Sequence, residues 1–255
     1  MIKSNPLDLH GRRILVTGAA SGIGLATCQL LAQLGATINA VDIDEQALML
    51  AFPTLSGVGH SAFCFDLRKL DEIPSFMVEV VAQTEPLFGL VHAAGLSLVM
   101  PARLLTTERY RDVFAVNAEA ALALSRGFQQ RKVCIPEGGS IVYISSVMGL
   151  VGSVGATAYA MSKAALGGIA RSLALEFAPR GIRVNCVAPG FVDTKMYESL
   201  VEKLDEKQRR QIEKAHPLGL GEPIDVANAI AFLLANTGRW ITGSTLVCDG
   251  GYTAS

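Results

Sequence analysis

Tyr159-Ala160-Met161-Ser162-Lys163 sets a phenol and an ammonium at positions i and i+4, one turn apart on a single helix face. A tyrosine titrates near pH ~10 and is a poor base at neutral pH. A neighbouring cation stabilises the phenolate and lowers that value, so the pair is expected to move a proton. Ser146 lies 13 residues upstream of Tyr159, across a loop holding Gly149, Gly152 and Gly155. Such a loop can fold the helix back until Ser146 and Tyr159 converge on one substrate oxygen. Taken alone, a Tyr and a Lys at this spacing also fit an amphipathic surface, and the rest of the chain has to decide between the two.

A second group of residues points to a phosphate-bearing ligand. Thr17-Gly18-Ala19-Ala20-Ser21-Gly22-Ile23-Gly24 sits where a β-branched run turns into a helical stretch. Glycines there permit positive φ and let backbone approach a pyrophosphate, and a helix N-terminus adds N–H groups and a favourable dipole. The spacing is G-x-x-x-G-x-G rather than G-x-G-x-x-G, and a tight strand-to-helix turn needs glycine for steric reasons too. Asp42 strengthens the functional reading. It ends the second strand, 18 residues after Gly24, near the offset at which an acid binds ribose hydroxyls. A carboxylate there accepts from a 2′-hydroxyl and repels a 2′-phosphate. No Arg or Lys lies in the turn or immediately after Asp42 to offset that repulsion, so NAD(H) is expected over NADP(H). The plainer alternative is that Asp42 caps the helix starting near Asp44.

These groups need a scaffold, and the chain alternates strand-like runs with helical stretches throughout. Strands are expected at 13–17, 36–42, 61–65, 87–93, 140–145, 182–188 and 244–248. Helices are expected at 22–34, 45–51, 70–83, 107–131, 157–177, 194–214 and 224–234. Strand–helix alternation implies βαβ units and a mostly parallel sheet covered on both faces. At 255 residues, with no linker, repeat or low-complexity segment, one doubly wound α/β domain is expected.

Composition removes other classes. Half the residues are hydrophobic and 18% are charged, which suits an ordered globular chain. A formal net charge of -1 gives no electrostatic case for nucleic acid. Cys28, Cys64, Cys134, Cys186 and Cys248 are odd in number, unpaired as C-x-x-C and mostly inside apolar runs, so buried reduced thiols are expected. His10, His60, His92 and His216 do not cluster with them, so no metal site is expected. Met1–Gly11, with Lys3, Asp8 and His10, lacks a signal-peptide core, and no apolar run reaches membrane-spanning length. A soluble cytoplasmic protein is the expectation.

Together the pieces resemble the short-chain dehydrogenase/reductase family over essentially the whole chain. The matches are TGAASGIG (17–24), Asp66 after the third strand, HAAG (92–95), Asn117, Ser146, YAMSK (159–163) and PGFVDT (189–194). The resemblance implies a single-domain Rossmann fold with a seven-stranded sheet and a catalytic tetrad of Asn117, Ser146, Tyr159 and Lys163. Tyr159 would be general acid in reduction and general base in oxidation, Ser146 would hold the substrate oxygen, and Lys163 would bind the nicotinamide ribose. Asn117 would order a water joining Lys163 to a proton relay. Gly18, Ser21, Gly22, Ile23 and Gly24 would receive the pyrophosphate, Asp66 and Leu67 the adenine, and Val192 and Thr194 the carboxamide. Ala93, Ala94, Gly95, Pro189 and Gly190 complete the implied cofactor site. One departure is His92-Ala93-Ala94-Gly95, where N-A-G preceded by another Asn is common. Ala94 keeps the backbone close but a side-chain amide is missing, and His92 reads as a packed strand-end residue.

Substrate contacts are expected after Gly95, after Ser146 and after Gly190: Ser97, Leu98, Met148, Gly149, Val154, Met196 and Tyr197. These mostly apolar residues suggest a neutral alcohol or ketone. Segment 194–216, with its charged run 202–214, is expected to be a lid. The small residues of 157–178 and the family's habits imply a homotetramer or homodimer. The competing readings are a 3-oxoacyl-carrier-protein reductase using NADPH, and a catalytically silent dinucleotide-binding scaffold.

Overall fold

The computed structural model describes residues 5–202 and 204–254, so Lys3 and Lys203 of the segments above lie outside it. Seven strands form one parallel sheet: β1 (Arg13–Thr17), β2 (Thr37–Asp42), β3 (Ser61–Cys64), β4 (Gly89–His92), β5 (Gly139–Ile144), β6 (Ile182–Pro189) and β7 (Thr245–Cys248). Their order is β3-β2-β1-β4-β5-β6-β7, reversing once between β1 and β4. In a doubly wound sheet the crevice at such a reversal, beyond the carboxyl ends of the strands, is where ligands bind.

The helices are α1 (Gly22–Gln33), α2 (Glu45–Ala51), α3 (Ile73–Gln83), α4 (Thr107–Phe114), α5 (Ala120–Phe128), α6 (Thr157–Phe177), α7 (Lys195–Val201), α8 (Glu206–Lys214) and α9 (Pro223–Leu234). Alternate strand residues feed two cores because successive side chains point to opposite faces. Leu15, Leu90, Ile141, Tyr143 and Val184 pack with α3, α5 and α6 residues such as Met77, Phe128 and Leu166. Ile14, Val16, Val91, Val142 and Val187 pack with Leu31 of α1, Leu48 of α2 and Ile230 of α9.

Three expectations change. The stretch expected as one helix over 107–131 is interrupted by a π-helical turn at Ala115–Glu119, which carries Asn117. The charged segment 194–214 divides into α7 and α8. Asp205 restarts the helix by accepting from Gln208 N (2.8 Å), while Gln208 reaches back to Asp205 N (3.0 Å), a reciprocal cap. Cys64 is exposed and Cys248 only half-buried, because β3 and β7 are the sheet edges; Cys28, Cys134 and Cys186 are buried as expected. All five thiols are free. No group of side chains suited to a metal ion occurs among the described residues, and no described helix is long and apolar enough to cross a membrane. The single tryptophan, Trp240, is 92% exposed beyond α9.

Candidate active site

The glycine turn is shaped by contacts that exclude side chains. Gly18 (φ 68°) and Gly22 (φ 51°) adopt left-handed backbone. A Cβ on Gly18 would stand 2.7 Å from Ala94 N, and one on Gly24 would stand 2.0 Å from Gly18 O. Ser21 occupies the N-cap of α1 without a side-chain hydrogen bond, so its hydroxyl does not cover the N–H groups of the first turn. A narrow turn of bare backbone opening on a helix N-terminus fits the pyrophosphate of a dinucleotide.

Asp42 belongs to this turn and not to α2. Its Oδ2 accepts from Ala20 N (2.9 Å) and its Oδ1 from Asp44 N (3.1 Å). The cap of α2 is Asp44, which accepts from Ala47 N at 2.9 Å. At the end of the neighbouring β3, Arg68 Nη2 donates to Asp66 Oδ2 (2.7 Å) and holds that carboxyl below the usual carboxylate range. Leu67 is buried in the core, so only its backbone is available to a ligand.

His92 joins three segments. Thr17 and His92 are register partners in β1 and β4. Val116 O is an acceptor only, so His92 Nε2 donates to it (3.0 Å), and Nδ1 accepts from Thr17 Oγ1 (2.9 Å). Thr17 Oγ1 accepts in turn from Ala94 N (3.3 Å). Burial, and next the charge of Lys163, hold His92 down at about 3, so the ring is neutral. It is a strand-end residue packed as expected, tying the cofactor turn to the π-turn of Asn117.

The side chain of Asn117 makes three hydrogen bonds. Oδ1 accepts from Leu96 N (2.8 Å), while Nδ2 donates to Leu96 O (3.0 Å) and Ser162 Oγ (2.9 Å). Ser162 Oγ donates to Tyr159 O at 2.7 Å.

Ser146, Tyr159 and Lys163 do come together. Ser146 follows β5 and accepts from Met148 N (3.1 Å), and it faces the same cavity as the Tyr159 phenol. Gly149 makes the approach of α6 possible, since a Cβ there would lie 2.9 Å from Ala164 N; nothing lies near Gly152. Ser145 Oγ donates to Lys163 O (2.9 Å), fastening α6 to β5. The expected depression of the phenol by Lys163 is not met. Burial raises Tyr159, with only the neighbouring Ser146 hydroxyl opposing. Lys163 Nζ stands 5.7 Å from the Tyr159 ring centroid and donates instead to Ile144 O at 2.7 Å. Burial brings this lysine down to about 8.

Tyr159, Ser146 and Lys163 line a cavity of about 280 Å³. Of the residues expected to hold the cofactor, Ile23, Ala93, Gly95, Pro189, Gly190, Val192 and Thr194 line it, and of those expected to meet substrate, Ser97, Met148, Val154, Met196 and Tyr197 line it. Asp42 and Asp66 stand at the ends of β2 and β3, outside it. Val99 lines the cavity where Leu98 was expected, and Gly149 faces α6 instead. Phe191, Leu200, Leu204, Ile212 and Tyr252 also line it and were not foreseen. Phe191 sits inside the PGFVDT motif, and Leu204 and Ile212 hide in the charged run, with Leu200 just before it, where only the charges were read. Tyr252 had no local signal.

A family model described as enoyl-(acyl carrier protein) reductase matches residues 18–253. The chain belongs to the short-chain dehydrogenase/reductase family. Two relatives of this dehydrogenase/reductase show the breadth of the match. It is 35% identical to a (3R)-3-hydroxyacyl-CoA dehydrogenase of Canis lupus familiaris, covering 97% of this chain and 98% of that one. It is 36% identical to a 3-oxoacyl-(acyl-carrier-protein) reductase of Thermotoga maritima, covering 96% and 99%. Among solved structures, a candidate NAD(P)-dependent gluconate 5-dehydrogenase from Beutenbergia cavernae, with NADP bound at low occupancy, superposes with a TM-score of 0.90 at 33% identity, covering 98% and 100%. This dehydrogenase/reductase is accordingly an oxidoreductase acting on CH–OH and C=O groups.

Proposed function

We propose that the enzyme uses NAD(H) to interconvert an uncharged secondary alcohol and its ketone, with Tyr159 as general acid and base. The observation that carries this reading is the convergence of Ser146, Tyr159 and Lys163 on the wall of one cavity, with Lys163 one turn after Tyr159 on α6. In reduction, Ser146 and Tyr159 bind the carbonyl oxygen and the phenol delivers its proton. A phenol held above its usual value keeps that proton at neutral pH. In oxidation, Tyr159 takes the hydroxyl proton, and the Ser146 hydroxyl is the neighbouring group that favours its phenolate. Bound nicotinamide dinucleotide supplies the hydride acceptor or donor. Asn117 acts as a positioning residue, through Leu96 and through Ser162 on Tyr159. Gly18, Ser21, Gly22, Ile23 and Gly24 hold the pyrophosphate, Asp42 the adenosine ribose, Asp66 and the Leu67 backbone the adenine. Ala93, Ala94, Gly95, Pro189, Gly190, Val192 and Thr194 hold the nicotinamide end.

The preference for NAD(H) rests on Asp42, whose carboxylate is fixed at the glycine turn and would repel a 2′-phosphate. The uncharged substrate rests on the lining: among the described residues, Lys163 is the one charged side chain in the cavity. The enzyme acts as one domain with residues 194–216 as cover, in the cytoplasm. It assembles as a homotetramer or homodimer through the exposed stripe of α6, where Met161 and Leu175 are 44% and 80% exposed. The two named relatives favour a second reading, a 3-oxoacyl thioester reductase, and the structural neighbour with NADP bound favours NADPH as its cofactor.

Steady-state rates with both cofactors, on neutral ketones and on 3-oxoacyl thioesters, separate the two readings. Tyr159→Phe should lower kcat by about 10³-fold or more while NADH affinity stays within roughly threefold. Retained turnover in that variant overturns the role of Tyr159, and a clear NADPH preference overturns the role of Asp42.

A further inference from the structure

His216 lies outside every motif, yet it is 3% exposed, with partners at both ring nitrogens and two aromatic rings against its own. Its Nδ1 donates to Ile212 O (2.7 Å) in the last turn of α8. That fixes the tautomer, and Nε2 accepts from Phe191 N at 3.2 Å, directly after β6. Its ring packs on Tyr252 (centroids 4.9 Å apart) and edge-on to Phe191 (5.5 Å). Phe191 in turn meets Tyr197 at 6.1 Å and Tyr252 at 5.9 Å. Gly190 leaves room for this: a Cβ there would stand 2.9 Å from His216 Nε2 and 3.0 Å from Asp249 Cα.

Ile212, Phe191, Tyr197 and Tyr252 all line the cavity, whereas His216 itself does not. One imidazole therefore connects three segments far apart in the chain: the cover helix α8, the loop after β6 and the C-terminal tail. We propose that His216 is a positioning residue that ties the 195–214 cover to the aromatic wall and so sets substrate affinity. The kinetic part of this inference rests on the function proposed above.

The test uses the full-length protein. His216→Phe keeps a ring against Phe191 and Tyr252 but deletes both nitrogens. Its substrate KM should rise about 10-fold or more, with kcat and NADH Kd within roughly threefold. Amide exchange of segment 206–215, by mass spectrometry without substrate, should quicken by about 10-fold. His216→Asn, which retains a donor near Nδ1, should restore slow exchange. His216→Gln, which retains an acceptor near Nε2, should restore much of the KM. An unchanged KM in a folded His216→Phe variant, or a NADH Kd that weakens in step with KM, overturns the proposal. So does unaltered exchange over 206–215. Should His216→Phe not fold, the Asn and Gln variants are compared by the same two readouts. A wild-type protein without NAD(H)-linked turnover would instead overturn the proposed function, and the exchange comparison would still decide whether His216 anchors the cover.

Discussion

Lys163 shows what a working site costs a fold. Its ammonium is buried, and its only hydrogen bond among the described residues runs to Ile144 O. The drop from 10.5 to about 8 amounts to roughly 3 kcal/mol against the charged folded form. The unfolded chain holds that proton more tightly, so the penalty is complete below about pH 8 and is relieved as pH rises towards 10.5. Lys163→Met should therefore abolish turnover yet melt no lower than the parent at pH 7, and its advantage should shrink by pH 10. Calorimetry across that range checks the sign. His92 has the same sign in a lower pH window. Its neutral folded form, at about 3, loses stability as pH falls below the usual histidine value, because the unfolded chain takes up the proton first. His92→Asn should flatten that acid slope between about pH 6.5 and 4 in chemical denaturation.

At the scale of elements, the glycine turn is the least tolerant. Gly24→Ala would drive a methyl to within 2.0 Å of Gly18 O, so the turn must open. A loss of NADH affinity of about 10-fold or more is expected by titration, with stability lower by roughly 1–3 kcal/mol. Arg183 is a supporting case. It donates to Leu233 O (2.7 Å) and Leu234 O (3.2 Å), closing the last turn of α9 from β6. Arg183→Leu should destabilise by about 1–3 kcal/mol through those stranded carbonyls. Helix α6 was legible over 157–177 in full, because its small and apolar residues keep helical spacing until Pro179 and Gly181 stop it. The π-turn at 115–119 was not, since the apolar pattern runs through it unbroken and the extra residue shows only in the ladder. The break between α7 and α8 has no glycine or proline to announce it. The Tyr159, Lys163 and Ser146 grouping was readable, because local spacing and one glycine loop bring them together. The wall of Phe191, His216 and Tyr252 was not, because only the fold joins residues so distant in sequence.

For the whole molecule, the single reversal in strand order explains why the cofactor turn after β1, the end of β4 and the end of β5 open on one crevice. The same winding leaves α6 with one stripe in the cores and another exposed. If copies associate there, Met161→Glu combined with Leu175→Glu should reduce the particle to 27.0 kDa, measured by light scattering. An unchanged mass would remove α6 from the interface. Trp240 has a consequence of its own. An indole already in water emits alike from folded and unfolded chains, so its fluorescence will be nearly blind to melting. The same dye-free signal becomes useful elsewhere: a blue shift or loss of quenching on concentrating the protein would report a neighbour arriving at the segment after α9, without any label attached.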